Sequence, residues 1–419
     1  MNPEKFLDSL IDYEKRHGYN YSLKKYVKFL LRIDAPHRKL KNTILIGGTK
    51  GKGSTAAILN SCLIANGYRV GLYTSPHLEK VYERIKVNNI NISRKQLGTH
   101  IDYMKPHIRK ERGIRTFFEV LTTVAFLYFL KKKTDFSIFE VGLGGRLDAT
   151  NATTPLVSVI TKIGYDHTQS LGNTLSQIAQ EKAGIIKKGI RLITTHQRPS
   201  AAKVLKKIVN LRRTSIIFAE DKHTINVMKE SIRGSHVRIT GEIGTFNAFL
   251  PLTGTHQIEN LLIALAVLSE LKTMGFHIEP IAVKRGIQRT ELHGRFEIVS
   301  HKPLIIYDCA HNQDSFEALD RNLAFLKTRN VFLIFGCKKN KTIGYCLQNI
   351  FPQAREVVLV PIGNPLGMDP SDVYKIAKKY QKNLIIEPSV KQAVRHLKAK
   401  ICKNSAIVIT GSFYLWPKG

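Results

Sequence analysis

Apolar positions along the chain fall into short runs whose spacing changes from segment to segment. Near the start they recur at helical intervals, as Phe6, Leu10 and Tyr13 and again as Tyr26, Phe29 and Leu30, which predicts a helical lead-in that Pro36 breaks. Thr43-Ile44-Leu45-Ile46 is short, continuous and β-branched, the pattern of a buried strand, and Thr55 to Ala65 reads as the helix that follows. Arg69-Val70-Gly71-Leu72-Tyr73 predicts a second strand, ending at Thr74-Ser75-Pro76-His77. The longest apolar run, Phe117 to Leu130, is interrupted by Glu119 and falls short of the roughly 18 to 20 residues of a membrane span, so it predicts a buried helix; Lys131-Lys132-Lys133 suit its C-terminus. Phe136-Ser137-Ile138-Phe139-Glu140-Val141 and Val157-Ser158-Val159-Ile160-Thr161 predict two further buried strands. Thr174-Leu175-Ser176-Gln177 has capping-box form and opens a short helix through Lys182, stopped by Gly184.

From about Ser215 to Leu252 the texture turns to short β-like runs (Ile216-Ile217-Phe218, Ile225-Asn226-Val227, Val237-Arg238-Ile239), which predict an antiparallel addition, and His256 to Leu268 predicts a buried helix with polar groups at its start. Beyond Arg295, strand-like runs at Leu304 to Tyr307, Val331 to Phe335, Val357 to Val360, Leu384 to Ile386 and Ala406 to Thr410 alternate with helix-length segments. The expected fold is therefore α/β: a P-loop-containing ATPase domain with a mainly parallel sheet plus an antiparallel addition over residues 1–294, and a smaller Rossmann-like domain over 295–419.

Composition adds modest constraints. A chain of 419 residues, 43% hydrophobic and 23% charged, is expected to fold into two or three soluble domains. Five cysteines without C-x-x-C spacing fit reduced thiols better than disulfides or zinc, and Met1 to Tyr13 lacks a charged-then-apolar leader, so a cytoplasmic protein without a membrane segment is expected. The formal charge of +33 would attract nucleic acid, acidic membranes or anionic metabolites. Its short lysine runs are dispersed and not interleaved with aromatics, which favours solvated basic faces over a specific nucleic-acid site.

The chemistry gathers at predicted strand ends. Gly48-Thr49-Lys50-Gly51-Lys52-Gly53-Ser54 lies between the first strand and its helix, where glycine frees backbone amides to surround a phosphate, the helix N-terminus adds positive potential and Lys52 supplies a movable cation. The spacing departs from G-x-x-x-x-G-K-[ST], and a plain glycine turn is the competing explanation. Glu140, at the end of an apolar strand and before Gly142-Leu143-Gly144-Gly145, is the first candidate for holding magnesium, against an ordinary edge salt bridge. Ser75, Asp166 and His167 reach the same edge if the strands are parallel; taken singly they read as a turn serine and polar loop residues. Asp308, His311 and Asn312 follow the first strand of the second domain.

Taken together the motifs resemble folylpolyglutamate synthase, including the bifunctional dihydrofolate synthase form, within the Mur ligase superfamily. The resemblance runs in family order through Pro36-His37-Arg38-Lys39-Leu40, the glycine loop at 48–54, Thr74-Ser75-Pro76-His77-Leu78, Glu83-Arg84-Ile85, Glu140 through Asn151, Asp166-His167, Ala179-Gln180-Glu181-Lys182-Ala183-Gly184-Ile185, Gly294-Arg295, Ala310-His311-Asn312 and Thr410-Gly411-Ser412. It implies an ATP-dependent ligase that adds L-glutamate to folate, with dihydropteroate as a possible second acceptor, acting as a monomer through an acyl phosphate. By resemblance, Gly48, Thr49, Lys50, Gly51, Lys52, Gly53 and Ser54 would hold the ATP phosphates. Asn260, Arg295 and Asp308 would contact the nucleotide, with Asp308 and His311 approaching from the second domain. Ser75 and Glu140 would bind one Mg2+, Glu140 and His167 a second, and Lys182, otherwise a helix-end lysine, would be carbamylated. Arg84, Phe118 and Ser412 would contact substrate, and His311 is the candidate base for the glutamate amine on residue type alone.

Two departures stand out: Cys309 where the family often has glycine, and Lys339-Asn340-Lys341 where many members are acidic. Two rival functions fit parts of the pattern. A Mur-like amide ligase with another carboxylate acceptor would be expected to carry a whole domain ahead of the glycine loop. A basic, nucleic-acid-binding P-loop protein would show salt-sensitive DNA retention without ADP formation.

Overall fold

The computed structural model describes residues 2–10, 22–109, 116–327, 329–339 and 341–416; Tyr13 of the expected lead-in and Asn340 lie outside the described residues. The chain divides into two compact units, one of Met1–Asn226, Val237–Phe249 and Gln257–Glu291, the other of Val227–His236, Leu250–His256 and Leu292–Gly419.

The first unit is built on eight strands: β1 (Thr43–Gly47), β2 (Val70–Tyr73), β3 (Ile85–Val87), β4 (Ile90–Asn91), β5 (Phe136–Glu140), β6 (Val157–Ile160), β7 (Leu192–Thr194) and β8 (Ile216–Phe218). Their spatial order is β4-β3-β2-β5-β1-β6-β7-β8. Every pairing from β2 across to β8 is parallel, while β3 and β4 extend one edge antiparallel. Every residue of β1, β2, β5, β6 and β7 is buried, which explains why the first four read as short apolar runs without alternation: helices cover both faces; β7, only three residues long, has no such reading in the sequence. Because β1 lies between β5 and β6, the strand order reverses there, and such a reversal leaves a crevice outside the strands' carboxyl ends. The expectation that Glu140 and the Asp166-His167 loop share one edge holds, since β5 and β6 both run parallel to β1.

Three local readings change. The helix after β1 spans Lys52–Ala65, so it begins within the glycine loop and three residues earlier than its apolar pattern suggests. Its sequence lacks an amphipathic stripe because Ser54 through Leu63 are all buried; on one side Gly286 of the Pro280–Gln288 helix lies so close that a Cβ there would sit 2.4 Å from the Cα of Cys62. Ile216-Ile217-Phe218, read as part of the antiparallel addition, is instead β8, parallel to β7. Glu119, the acid that interrupts the long apolar run, is the capping-box partner of Thr116 at the start of the Phe117–Lys132 helix: each backbone N–H donates to the other's side chain, at 2.9 and 3.0 Å.

The addition itself is a three-stranded sheet of order β11-β10-β9, from β9 (His223–Ser231), β10 (Gly234–Gly241) and β11 (Phe246–Leu250). Only Ile232 and Arg233 connect β9 to β10, a link short enough for antiparallel pairing alone. The second unit carries β12 (Glu297–His301), β13 (Leu304–Asp308), β14 (Asn330–Phe335), β15 (Glu356–Leu359), β16 (Leu384–Ile386) and β17 (Ser405–Thr410), ordered β12-β13-β17-β14-β15-β16 and parallel except at β12. No helix among the described residues is long and apolar enough to cross a membrane.

Candidate active site

At the end of β1 the chain makes a turn that only glycine can make at two points. Gly48 has φ +134°, and a Cβ there would lie 1.9 Å from Thr161 Oγ1; Gly51 has φ +86°, and a Cβ there would lie 2.0 Å from Asn260 Oδ1. The Thr55 amide donates to Gly51 O at 2.8 Å, so the amides of Lys52, Gly53 and Ser54 precede the first acceptor inside the helix and are available to an anion at its positive end. Thr49 and Lys50 differ: both of their amides donate to Lys162 O, at 2.9 and 3.2 Å. Lys52 Nζ rests over the loop, 3.2 Å from Gly48 O and 3.5 Å from Thr49 O. Asn260 Nδ2 donates to Gln257 Oε1 at 2.9 Å, which turns the Asn260 oxygen toward Gly51; Gln257 is a participant the sequence reading missed, although its spacing of three on a helix is a visible signal.

Glu140, the last residue of β5, is 5% exposed, and its two oxygens lie 3.6 Å from where a Cβ on Gly53 would be, placing the carboxylate beside the first turn of the Lys52–Ala65 helix. Its Oε2 accepts the Ser75 amide at 3.1 Å, so β2 and β5 bring these two residues together. His167 follows β6 with φ +48°, in the left-handed region that a non-glycine residue seldom occupies. Its side chain is half exposed, its amide donates to Asp166 Oδ1 at 3.0 Å, and its Nε2 lies 3.9 Å from the same oxygen. No three His, Cys, Asp or Glu side chains gather into a metal cage among the described residues. A buried carboxylate, a neighbouring serine and an imidazole near a phosphate loop fit Mg2+, which takes one or two protein ligands and fills its octahedron with phosphate and water oxygens.

The glycine-rich segment after β5 has a mechanical role. Asp148 accepts the amides of Gly142 and Leu143, both at 3.0 Å, and that of Thr150 at 2.9 Å; burial raises its pKa while these bonds pull the other way. Arg146 then docks on the Leu175–Ala183 helix through its amide to Glu181 O at 2.8 Å and its guanidinium to the Glu181 carboxylate at 2.9 Å; Asn151 Nδ2 bridges Arg146 O and Gly184 O, both at 3.1 Å. Gly184 is required by contact, since a Cβ there would meet the Arg146 Cα at 2.3 Å. This clamp delivers Lys182, 4% exposed, to the phosphate loop, where its Nζ donates to Gly48 O at 2.8 Å.

Burial, and next the Lys52 cation, push the Lys182 ammonium from 10.5 down to about 7. Between those values the unfolded chain holds a proton that the folded chain has released, so this lysine makes stability rise with pH from about 7 to 10.5. In buffer free of carbon dioxide, Lys182→Met is expected to flatten that rise, the variant's advantage over wild type being largest below about pH 7 and closing toward pH 10. Urea unfolding across that range checks it; parallel curves would reject the effect.

Arg84 is 1% exposed, with Nε 2.8 Å from His77 Nδ1 and its guanidinium carbon 5.1 Å from the Phe117 ring centre. Phe118 packs against Tyr73, with ring centres 5.7 Å apart, and covers Gly142, where a Cβ would meet its ring at 2.6 Å.

In the second unit, Asp308 ends β13 and accepts the amides of Phe296 and Ala310, both at 2.8 Å; burial raises its pKa and Arg295 lowers it. Arg295 donates to Gly294 O at 3.2 Å and lies 5.3 Å from the Phe413 ring centre. The His311 ring is also 5.3 Å from Phe413, and its Nδ1 lies 2.8 Å from Cys309 O, a carbonyl that only an N–H can meet, so Nε2 of the neutral ring is the basic nitrogen. Cys309 does not have positive φ, so glycine is not needed there, and its side chain is buried. Ser412 is 3% exposed; its O accepts the Tyr307 hydroxyl at 3.0 Å and its Oγ the Tyr414 amide at 3.3 Å. Lys339 donates its amide to Leu366 O at 3.0 Å, and Lys338 Nζ lies 5.0 Å from the Tyr414 ring centre.

Two family models match this chain: the Mur ligase middle domain over residues 46–268, and the Mur ligase glutamate ligase domain over residues 294–413. The dihydrofolate synthase/folylpolyglutamate synthase of Bacillus subtilis is 32% identical to it over 95% of this chain and 94% of its own length. The chain belongs to the folylpolyglutamate synthase family of Mur ligases. Within this family, Mycobacterium tuberculosis folylpolyglutamate synthase complexed with ADP superposes with a TM-score of 0.88 at 27% identity, covering 98% of this chain and 95% of that one. E. coli FolC in complex with DHPP and ADP gives 0.86 at 27% identity, covering 99% and 96%. As a folylpolyglutamate synthase family member the chain is an ATP-dependent ligase of two α/β units.

Proposed function

We propose that this protein joins L-glutamate to the carboxylate of a folate, and also to dihydropteroate, driven by conversion of ATP to ADP and phosphate. The observation that carries the reading is the meeting of the Glu140 carboxylate, the Ser75 amide and the first turn of the phosphate-loop helix at one sheet edge, in a chain that matches ADP-bound family members along nearly its whole length.

A carboxylate is a poor acyl donor, so the reaction begins with its phosphorylation. The amides of Lys52, Gly53 and Ser54 and the Lys52 ammonium hold the nucleotide phosphates and stabilise charge on the transferring phosphoryl group. On the first unit Asn260, whose oxygen faces Gly51, contacts the nucleotide next to the loop. Ser75, Glu140 and His167 would hold two Mg2+ ions, which when bound neutralise phosphate charge. Lys182, neutral above about pH 7, can add carbon dioxide at Nζ with loss of one proton, and the resulting carbamate supplies a further anion beside the loop. The glutamate amine then attacks the acyl phosphate carbonyl carbon, the carbon–oxygen bond to phosphate breaks and an amide forms. His311 Nε2, the nitrogen left basic by the Nδ1 contact to Cys309 O, takes the proton from the amine. Phe118 lines the acceptor pocket, with Arg84 holding His77 and Phe117 behind it and Ser412 shaping the turn on the second unit. We place the reaction in the cytoplasm, carried out by a monomer.

Incubation with ATP, glutamate and either dihydropteroate or tetrahydrofolate, followed by ADP release and product mass, tests the proposal. A product heavier by one glutamyl unit with each acceptor is expected. ADP formation with neither, but with another carboxylate, would reassign the substrate.

A further inference from the structure

The phosphate loop is stitched to the loop after β6 by side-chain and backbone contacts from both Thr49 and Lys50. Thr49 Oγ1 donates to Gly164 O at 3.1 Å and accepts the Gly164 amide at 3.1 Å. The Thr49 and Lys50 amides both end on Lys162 O. Lys50 Nζ lies 3.5 Å from Asp166 Oδ2, an ion pair with side chains 29% and 15% exposed, and the other oxygen of Asp166 takes the His167 amide. Lys162 in turn sends its Nζ to Glu259 Oε1 at 2.9 Å and to His196 O at 3.0 Å, which ties the same loop to the Thr255–Thr273 helix one residue from Asn260.

We infer that Thr49 and Lys50 are positioning residues for the His167-bearing loop rather than ligands of the nucleotide phosphates, and that Lys162 is the hub coupling that loop, the phosphate loop and the Asn260 helix. An amide committed to a carbonyl does not also cradle an anion, and a lysine held by a partly buried aspartate is not a movable phosphate cation. What these contacts do is fix the segment that carries the left-handed His167 against the phosphate loop. Disturbing these side chains should displace the imidazole while the helix-start amides and Lys52, whose ammonium rests on the Gly48 and Thr49 carbonyls, keep their geometry.

The inference rests on the ligase reading, and the experiment separates the two. Binding of ADP is measured by calorimetry with EDTA and then across a Mg2+ titration, for wild type, Lys50→Met, Lys50→Arg, Thr49→Val and Thr49→Ser. Lys50→Met and Thr49→Val are expected to leave metal-free ADP affinity within about twofold of wild type while raising the Mg2+ concentration needed to tighten ADP by about 10- to 100-fold, the range for residues that orient a metal ligand. Lys50→Arg and Thr49→Ser, which keep the cation and the hydroxyl, should restore most of the Mg2+ response. In steady state kcat should fall more than KM for ATP rises. A tenfold or greater loss of metal-free ADP affinity in Lys50→Met, or an unchanged Mg2+ response in both Lys50→Met and Thr49→Val, overturns the inference. Should Lys50→Met fail to fold, the Thr49→Val and Thr49→Ser pair decides alone. Absence of ADP binding by wild type with and without Mg2+ overturns the ligase reading itself, and the inference with it.

Discussion

Lys52→Ala is expected to lower the rate of ADP formation by at least about 10²- to 10³-fold, the effect of removing a charge-stabilising donor from a phosphoryl-transfer site. The fold should survive. Lys52 opens a helix that is buried from Ser54 to Leu63, but its own ammonium is only part-buried and rests on two loop carbonyls, Gly48 O and Thr49 O. Loss of such contacts costs stability on the order of 0.5 kcal/mol or less. Lys52→Arg is expected not to restore the rate, because a planar fork does not replace a compact ammonium over a tight glycine turn. Coupled measurement of ADP together with thermal unfolding checks both; turnover within tenfold of wild type in Lys52→Ala would remove this lysine from the reaction.

The second large effect is at Glu140. Glu140→Gln keeps the shape and an oxygen that can accept the Ser75 amide, and removes only the charge. Glu140→Ala removes both and leaves that amide to find another acceptor, a cost of about 1 to 3 kcal/mol if it stays buried. If the carboxylate serves the phosphates through bound Mg2+, both variants should lose activity about equally, by about 10³-fold, while only the alanine variant unfolds earlier. If Glu140 is instead a structural acceptor, Glu140→Gln will retain activity near the wild-type level and Glu140→Ala will lose activity and stability together. Parallel assays and melts of the two variants separate these outcomes.

How much of this was legible depends on the range of the interaction concerned. Thr43 to Ile46 and Phe136 to Glu140 announced themselves because burial on both faces demands unbroken apolar runs. Placing Glu140, Ser75 and His167 on one edge needed only parallel pairing, which helices between strands imply. Ile216-Ile217-Phe218 was misassigned for the converse reason: a three-residue apolar run looks the same whether its partner is β7 or a hairpin, and only pairing distinguishes them. Glu119 looked like an interruption in an apolar run, whereas its capping box with Thr116 was visible three residues upstream.

The glycines carry the same division. That Gly48 and Gly51 form a turn able to face a phosphate follows from local chemistry, since the chain needs residues without a Cβ between a strand and a helix start. That a side chain at Gly51 would strike Asn260, more than two hundred residues on, and one at Gly48 would strike Thr161, follows from packing alone. By itself the sequence determined the buried strands β1, β2, β5 and β6 and most of those in the second unit, the glycine turn, the order of the motifs and the kind of chemistry, because each depends on neighbours in the chain. The tertiary structure alone decided that Lys162 O takes the Thr49 and Lys50 amides, that Asp148 braces the loop clamping Lys182 against Gly48, and that burial lowers the proton affinity of that lysine. Hydrogen-bond partners and desolvation are set by groups distant in sequence, and no local pattern records them.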